Sequence, residues 1–465
     1  METPSFAAGA VHTGRGTTPL PRRAKLLYSV SSLGGEALNQ SRAAWLLYYY
    51  APPADSGLQP LLPLSVIGVL LAILQVVGAL DDAVIGWWSD RTRSRLGRRL
   101  PFILAGTPLA AIFAVLIVTP PADAGTAATA VYLFVVMEMY AIFSTVSGGP
   151  YEALLPEIAR SSRDRVDLVS IRVVFGVAGA GIGLVASGPL VDQFGVRVMM
   201  IVMVALAFGC RYLGMAGIWR HVNRRQLPAD LSLREAFAAT LRNTQFLAFL
   251  PTFVLFQTGL GMLTGVLPYY AKAVLRVDDA GRWVSILTAV AIASMLAAIP
   301  FFTWVAHRRS KRQAYSLAML LAGLAFPLLF IAGFVPGIPR LAQVLVVMAI
   351  IGAPQAGVYL FPAALTADIA DHDATQTGMR REATYFGVQN FVERTAGALS
   401  PLTLAALLAL GNTADDPLGI RLVGPVAGLF VLAGHFVFRF YDLPDEVLLA
   451  GDALSSPKSP QDHAP

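Results

Sequence analysis

The chain has 465 residues, of which 55% are hydrophobic and 14% charged, with a formal net charge of +6. A soluble domain carries about 25% charged residues, so the composition excludes an ordinary soluble globular protein. The basic residues fall in short clusters between apolar runs and not on one continuous face, which excludes nucleic acid as the reason for the positive charge.

The first two dozen residues are polar, with Pro, Gly and Arg, and lack the apolar core of a signal peptide, so residues 1–24 are expected to form a cytoplasmic tail. A helix needs about 20 apolar residues to cross about 30 Å of hydrocarbon. Runs of that length predict spans near 25–50, 61–89, 101–119, 127–155, 166–191 and 197–219. A polar, amphipathic linker follows over 220–244, and six more spans are expected near 245–273, 282–306, 313–334, 341–367, 384–411 and 418–441. The fold class is therefore an all-α membrane protein of twelve transmembrane helices. Its two halves, 25–219 and 245–441, resemble each other in their loops, with a polar Pro/Ser-rich tail over 442–465.

Arginine and lysine fix the expected orientation, because cytoplasmic loops collect positive charge. Arg15, Arg22, Arg23 and Lys25 precede the first span, Arg160, Arg163 and Arg165 follow the fourth, and Arg308, Arg309, Lys311 and Arg312 follow the eighth. The alternate loops 51–60 and 120–126 contain neither residue, which places both termini in the cytoplasm. Lysine is scarce beside arginine, a bias of GC-rich bacterial genomes, so the expected location is the bacterial inner (plasma) membrane with the lipid bilayer as a partner. The one cysteine, Cys210, lies in an apolar run and is expected to pack, and there is no GxxxxGK[ST] phosphate loop. No nucleophile with a positioned base and no metal-ligand cluster is patterned in the sequence, so neither an enzyme nor a bound cofactor is expected.

Ionisable side chains at mid-bilayer cost about 2.5–3.5 kcal/mol on insertion scales and are functional candidates by default. Glu36, Asp82, Arg172 and Arg394 all fall roughly 10–17 Å from the basic ends of their spans at 1.5 Å per residue. Opposite charges at one level on four helices imply a shared polar cavity. Helical spacing adds Asn39 and Gln40 beside Glu36, Asn390 one turn before Arg394, Gln355 with Tyr359, and a stripe of Glu138, Thr145 and Glu152. Asp81 points about 100° away from Asp82. A buried ion pair also simply joins helices, so each of these residues has a purely structural alternative. Mixed charge, amide and aromatic lining suits a hydroxyl-rich small molecule. The pairs Gly179/Gly183 and Gly261/Gly265 read as close helix packing.

The segment after the second span, from Gly86 through Asp90, Arg91, Gly97 and Arg98 to Arg99, combines a carboxylate with a basic run and can act as a gating latch. It resembles the signature loop of the major facilitator superfamily. Its wording is similar to that of the glycoside-pentoside-hexuronide:cation symporters, as are Leu47 to Tyr50, Pro150 to Glu157, Ala367 to Asp371, Thr377 to Glu382 and Tyr385 to Phe391.

The resemblance implies a secondary active symporter that moves a sugar or glycoside-like solute by alternating access and works as a monomer. Residue by residue, it implies substrate binding by Glu36, Arg172, Tyr359 and Arg394, with Asn390 beside them, and a cation site at Asp82 and Thr145, with Asp81 in place of an asparagine. It also places a first cation-site aspartate at Gly78 and a sugar-binding aspartate at Gly148, where this chain has none. Hard cations want several oxygen ligands, whereas a proton needs one carboxylate. The expected coupling ion is thus H+ before Na+, and a melibiose-like galactoside specificity is not expected. Two rival readings are a lysolipid or other amphiphile transporter of the same fold, and a transport-dead solute sensor.

Overall fold

The computed structural model describes residues 20–53, 56–91, 99–121, 125–159, 162–222, 242–377 and 382–443. Within these, the side chains of 79–91, 153, 156–157, 162–166, 374, 377, 382–384, 386–387 and 390 lie outside the description. The described residues form helices and loops without strands.

Before the linker run α1 (Arg22–Tyr50), α2 (Leu64–Arg91), α3 (Leu100–Leu116), α4 (Thr126–Ala153) and α5 (Ser162–Ile218). After it run α6 (Thr244–Tyr269), α7 (Ala280–Arg308), α8 (Lys311–Ala325), α9 (Arg340–Leu360), α10 (Pro362–Thr377), α11 (Glu382–Ala396), α12 (Leu399–Leu408) and α13 (Leu418–Val437). Local chemistry sets several of the starts. Asn243 Oδ1 accepts from Gln245 and Phe246 N–H at 3.0 and 3.2 Å to begin α6, and Ser310 Oγ accepts from Gln313 N–H at 3.0 Å to begin α8.

Four expected spans differ in detail from the helices observed. The spans near 166–191 and 197–219 are the two legs of α5, which meet at Gly195 with φ 79° and ψ 166°, a conformation only glycine adopts readily. The spans near 341–367 and 384–411 are each divided, at Phe361 and near Gly397. Seven helices among the described residues are long and apolar enough to cross a membrane. α1 is not among them, because Asn39, Gln40 and several serines and glycines stand beside Glu36 and Arg42 and lower its hydropathy.

Two glycine pairs bring helices close together, one of them into backbone contact. A Cβ at Gly179 or Gly183 of α5 would overlap the α1 backbone at Leu33 and Ala37. Gly261 and Gly265 of α6 likewise face Ser400 and Leu404 of α12. α1 is in this way held along α5.

The two sets of helices meet at the end where α1 finishes and α7 begins. Tyr269 at the end of α6 donates its hydroxyl to Ala51 O at 2.8 Å, and its ring packs edge-on against Tyr48. Asp192 of α5 accepts from the backbone N–H of Gly281 and Arg282. At the opposite end, three ion pairs among the described residues each join helices of one set: Lys25 with Asp167 at 2.8 Å, Arg312 with Asp442 at 2.7 Å, and Lys311 with Asp368.

Candidate functional site

Between the two sets lies a cavity of about 860 Å³ lined from α1, α5, α6, α7 and α9. Ser32, Glu36 and Gln40 sit at intervals of four along α1 and give it one polar stripe. Gln355 and Tyr359 do the same on α9, and Thr264 and Thr288 add hydroxyls from α6 and α7.

Arg172 of α5 reaches the cavity already held by its neighbours. Its Nη2 donates to Glu152 Oε1 at 2.5 Å, its Nε donates to Ser32 Oγ at 3.3 Å, and its guanidinium lies over the Tyr28 ring, 5.6 Å from the centroid. The platform beneath is rigid. Tyr28 and Tyr151 stack with centroids 4.7 Å apart, and each hydroxyl donates to the other's backbone carbonyl, at 2.9 and 2.8 Å. A planar, permanently charged fork with free N–H groups suits the vicinal oxygens of a small solute.

Glu36 and Gln40 lie one turn apart on the lining face of α1, and the charges of Glu393 and Glu152 reach Glu36. Tyr359 packs edge-on against Phe256 at 6.3 Å and leaves half of its surface open. The structure therefore brings Glu36, Arg172 and Tyr359 together in one cavity. Gln40 and Gln355 join them, while Asn39 lies outside the lining.

The expected single polar level is only partly realised. Arg394 is half-buried on α11 and Thr145 half-buried on α4, and neither lines the cavity. Depth along a span fixes height but not azimuth. The side chains of Asp81, Asp82, Gly86, Asp90, Arg91 and Asn390, and all of Gly97 and Arg98, lie outside the described residues. A Cβ at Gly78 or at Gly148 would meet no atom within 4 Å, so the two positions that lack the family's carboxylates are open.

One carboxylate was not expected from the sequence. Glu393 of α11 accepts from Gln257 Nε2 of α6 at 3.0 Å, and its charge reaches both Glu36 and Tyr359. The signal was present, since Glu393 sits at the same depth as Arg394. Also unexpected is the large apolar share of the lining on α5 and α7.

Residues 27–420 match a family model described as MFS/sugar transport protein. Among curated proteins, the chain is 23% identical to the isoprimeverose transporter of Lactiplantibacillus pentosus over 93% of this chain and 91% of the relative. It is 22% identical to the raffinose carrier protein of Pediococcus pentosaceus, over 93% of this chain and 68% of the relative. It is 23% identical to the glucuronide carrier protein homolog of Escherichia coli, over 90% and 92%. Among solved structures, a mutant of the nucleoside transporter NupG superposes with a TM-score of 0.65 at 14% identity, covering 90% of this chain and 100% of that one. A mutant of the peptide transporter POT gives 0.64 at 14% identity, covering 91% and 96%.

Proposed function

The chain belongs to the MFS/sugar transport protein family, among its glycoside-pentoside-hexuronide symporters, and we propose that it moves a sugar or glycoside-like solute across a bacterial inner membrane by cation-coupled alternating access. It is a transporter and not an enzyme. The observation that carries the solute class is the convergence of Glu36, Arg172 and Tyr359 on one cavity between the two sets of helices. A carboxylate and an amide accept and donate to hydroxyls, the guanidinium grips a pair of oxygens, and the tyrosine ring offers a face to a sugar's C–H surface.

In this reading the protein is a monomer of twelve spans in two six-helix halves, 25–219 and 245–441, with both termini in the cytoplasm. The bonded seam at Tyr269–Ala51 and Asp192–Gly281 then closes the outer face. With the outer face closed, the cavity is reached from the cytoplasm. Transport requires the outer seam to break while an inner one forms, and the segment from Gly86, near the end of α2, to Arg98 serves as the inner latch. Arg394 and Asn390 approach the solute when the second half rocks inward.

The cation is a proton, held at Asp82 with Asp81 and Thr145 as neighbours. Gly78 withholds one of the oxygens that sodium would want. Coupling follows when the loaded site has different affinities for ion and solute in the two states. Uptake of a labelled glycoside panel into proteoliposomes under an imposed proton or sodium gradient tests the reading, with Asp82→Asn as the control. Uphill accumulation of one glycoside under a proton gradient, lost in Asp82→Asn, is expected. Accumulation that persists in Asp82→Asn would remove the cation assignment, and absence of any glycoside flux would remove the solute class.

A further inference from the structure

Most polar side chains of the cavity lie on α1 and α9, as Ser32, Glu36, Gln40, Gln355 and Tyr359, with Arg172 of α5 at one end and Thr264 of α6 beside them. Apart from Arg172 and Thr288, the lining contributed by α5 and α7 is apolar. On α5, Val169, Val173, Val177 and Leu184 form one stripe about 22 Å long at 1.5 Å per residue. On α7, Ile292, Leu296 and Ile299 form another beside it.

Three of these side chains leave much of their surface open. Val173 is 60% exposed, Val177 45% and Leu296 49%, although all three line the cavity. A free oligosaccharide filling the cavity would press hydroxyls against this wall with nothing to bond them, and an unpaired hydroxyl out of water is costly. A wall of uncovered valine and leucine beside a polar stripe is matched by a solute with the same division.

We propose that the cavity selects glycosides bearing an apolar aglycone, with the sugar on the stripe of Glu36, Gln40, Arg172, Gln355 and Tyr359 and the aglycone along the apolar faces of α5 and α7. This rests on the sugar-transport reading and narrows it. Aglycone and sugar add their contributions because one continuous cavity holds both. The aglycone end sets affinity through buried area, while the sugar end sets orientation through hydrogen bonds.

The test is competition by methyl, butyl and octyl forms of one transported glycoside, all below their micellar concentrations, in proteoliposomes corrected with protein-free vesicles. The expected result is an inhibition constant that falls about three- to fourfold per added methylene over the first several carbons. Leu296→Asn should weaken the octyl form at least tenfold more than the methyl form, and Leu296→Met should restore the chain-length slope, which separates lost aglycone contact from misfolding. Three results overturn the proposal. A flat series in a protein that still moves the methyl glycoside sinks the aglycone site and leaves the transport reading standing. An octyl phosphocholine that competes as well as the octyl glycoside shows that the head need not be a sugar. Failure of every glycoside to bind or move sinks both readings together.

Discussion

The Asp192 carboxylate of α5 accepts a hydrogen bond from the backbone N–H of Gly281 at the start of α7, 2.8 Å away, and a second from Arg282 N–H at 2.5 Å. A carboxylate at a helix N-terminus satisfies donors that have no partner in the helix and meets the positive end of its dipole. Close backbone approach of Gly188 to Gly281 makes this geometry possible. Because Asp192 is exposed, the contact contributes about 0.5–1 kcal/mol.

Asp192→Asn is therefore expected to shift the population toward the state open at this end by about two- to fivefold. In a Cys210→Ser background, the chain's one native cysteine is gone. A reporter cysteine at Leu184, which lines the cavity, should then react two- to fivefold faster with an impermeant maleimide added from that side. Equal labelling rates with and without the Asp192 change would mean that the seam is held by something other than this cap.

Arg172 offers a second test. It bonds Glu152 and Ser32 and lies over Tyr28, so the side chain is fixed before any solute arrives. Arg172→Ala should lower glycoside affinity at least tenfold, because it removes a charged group aimed at the solute. Glu152→Gln should lower it only about two- to fivefold, because the Glu152 side chain is half exposed and the pair is correspondingly screened. A double-mutant cycle by calorimetry should give a coupling of about 1 kcal/mol. Near-zero coupling would show that Glu152 does not act through Arg172.

The sequence made Glu36 and Arg172 visible because charge inside an apolar run is rare, and four-residue spacing tied Gln40 to Glu36 and Gln355 to Tyr359, the aromatic that the family resemblance implied. The division of α5 at Gly195 was also legible as a break between two runs. Two features were not. The Glu393–Gln257 bond depends on how α11 is rotated against α6, which a single sequence does not specify. The apolar stripe of Val173, Val177 and Leu296 has the same composition and period as a lipid-facing stripe. Only the packing of α1, α5, α7 and α9 around a shared space distinguishes the two.

Gly183 should be among the least replaceable residues in the chain. A Cβ there would overlap the Ala37 backbone of α1, and backbone cannot yield as a flexible side chain does. Gly183→Val is expected to cost about 1–3 kcal/mol or more and to lower the melting temperature in detergent by several degrees. Gly35→Ala, where a Cβ meets nothing within 4 Å, should leave it unchanged. Equal melting temperatures for the two variants would show that α1 and α5 are not in backbone contact.

Gly78 tests the ion. It stands where the family resemblance places a cation-site aspartate, and a Cβ there meets no atom within 4 Å, so Gly78→Asp adds a carboxylate without a clash at its base. One oxygen donor separates a site that holds a proton from one that can surround sodium, since a hard cation must replace most of its lost water with oxygen ligands. The variant is expected to fold and to gain sodium-stimulated uptake, read as a several-fold increase in the initial rate under an inward sodium gradient that the parent protein lacks. Asp82→Asn in the same background should abolish the gain, because the added carboxylate needs a second one to complete the shell. A parent protein that already responds to sodium would place the coupling site away from Gly78 and would make the proton assignment wrong.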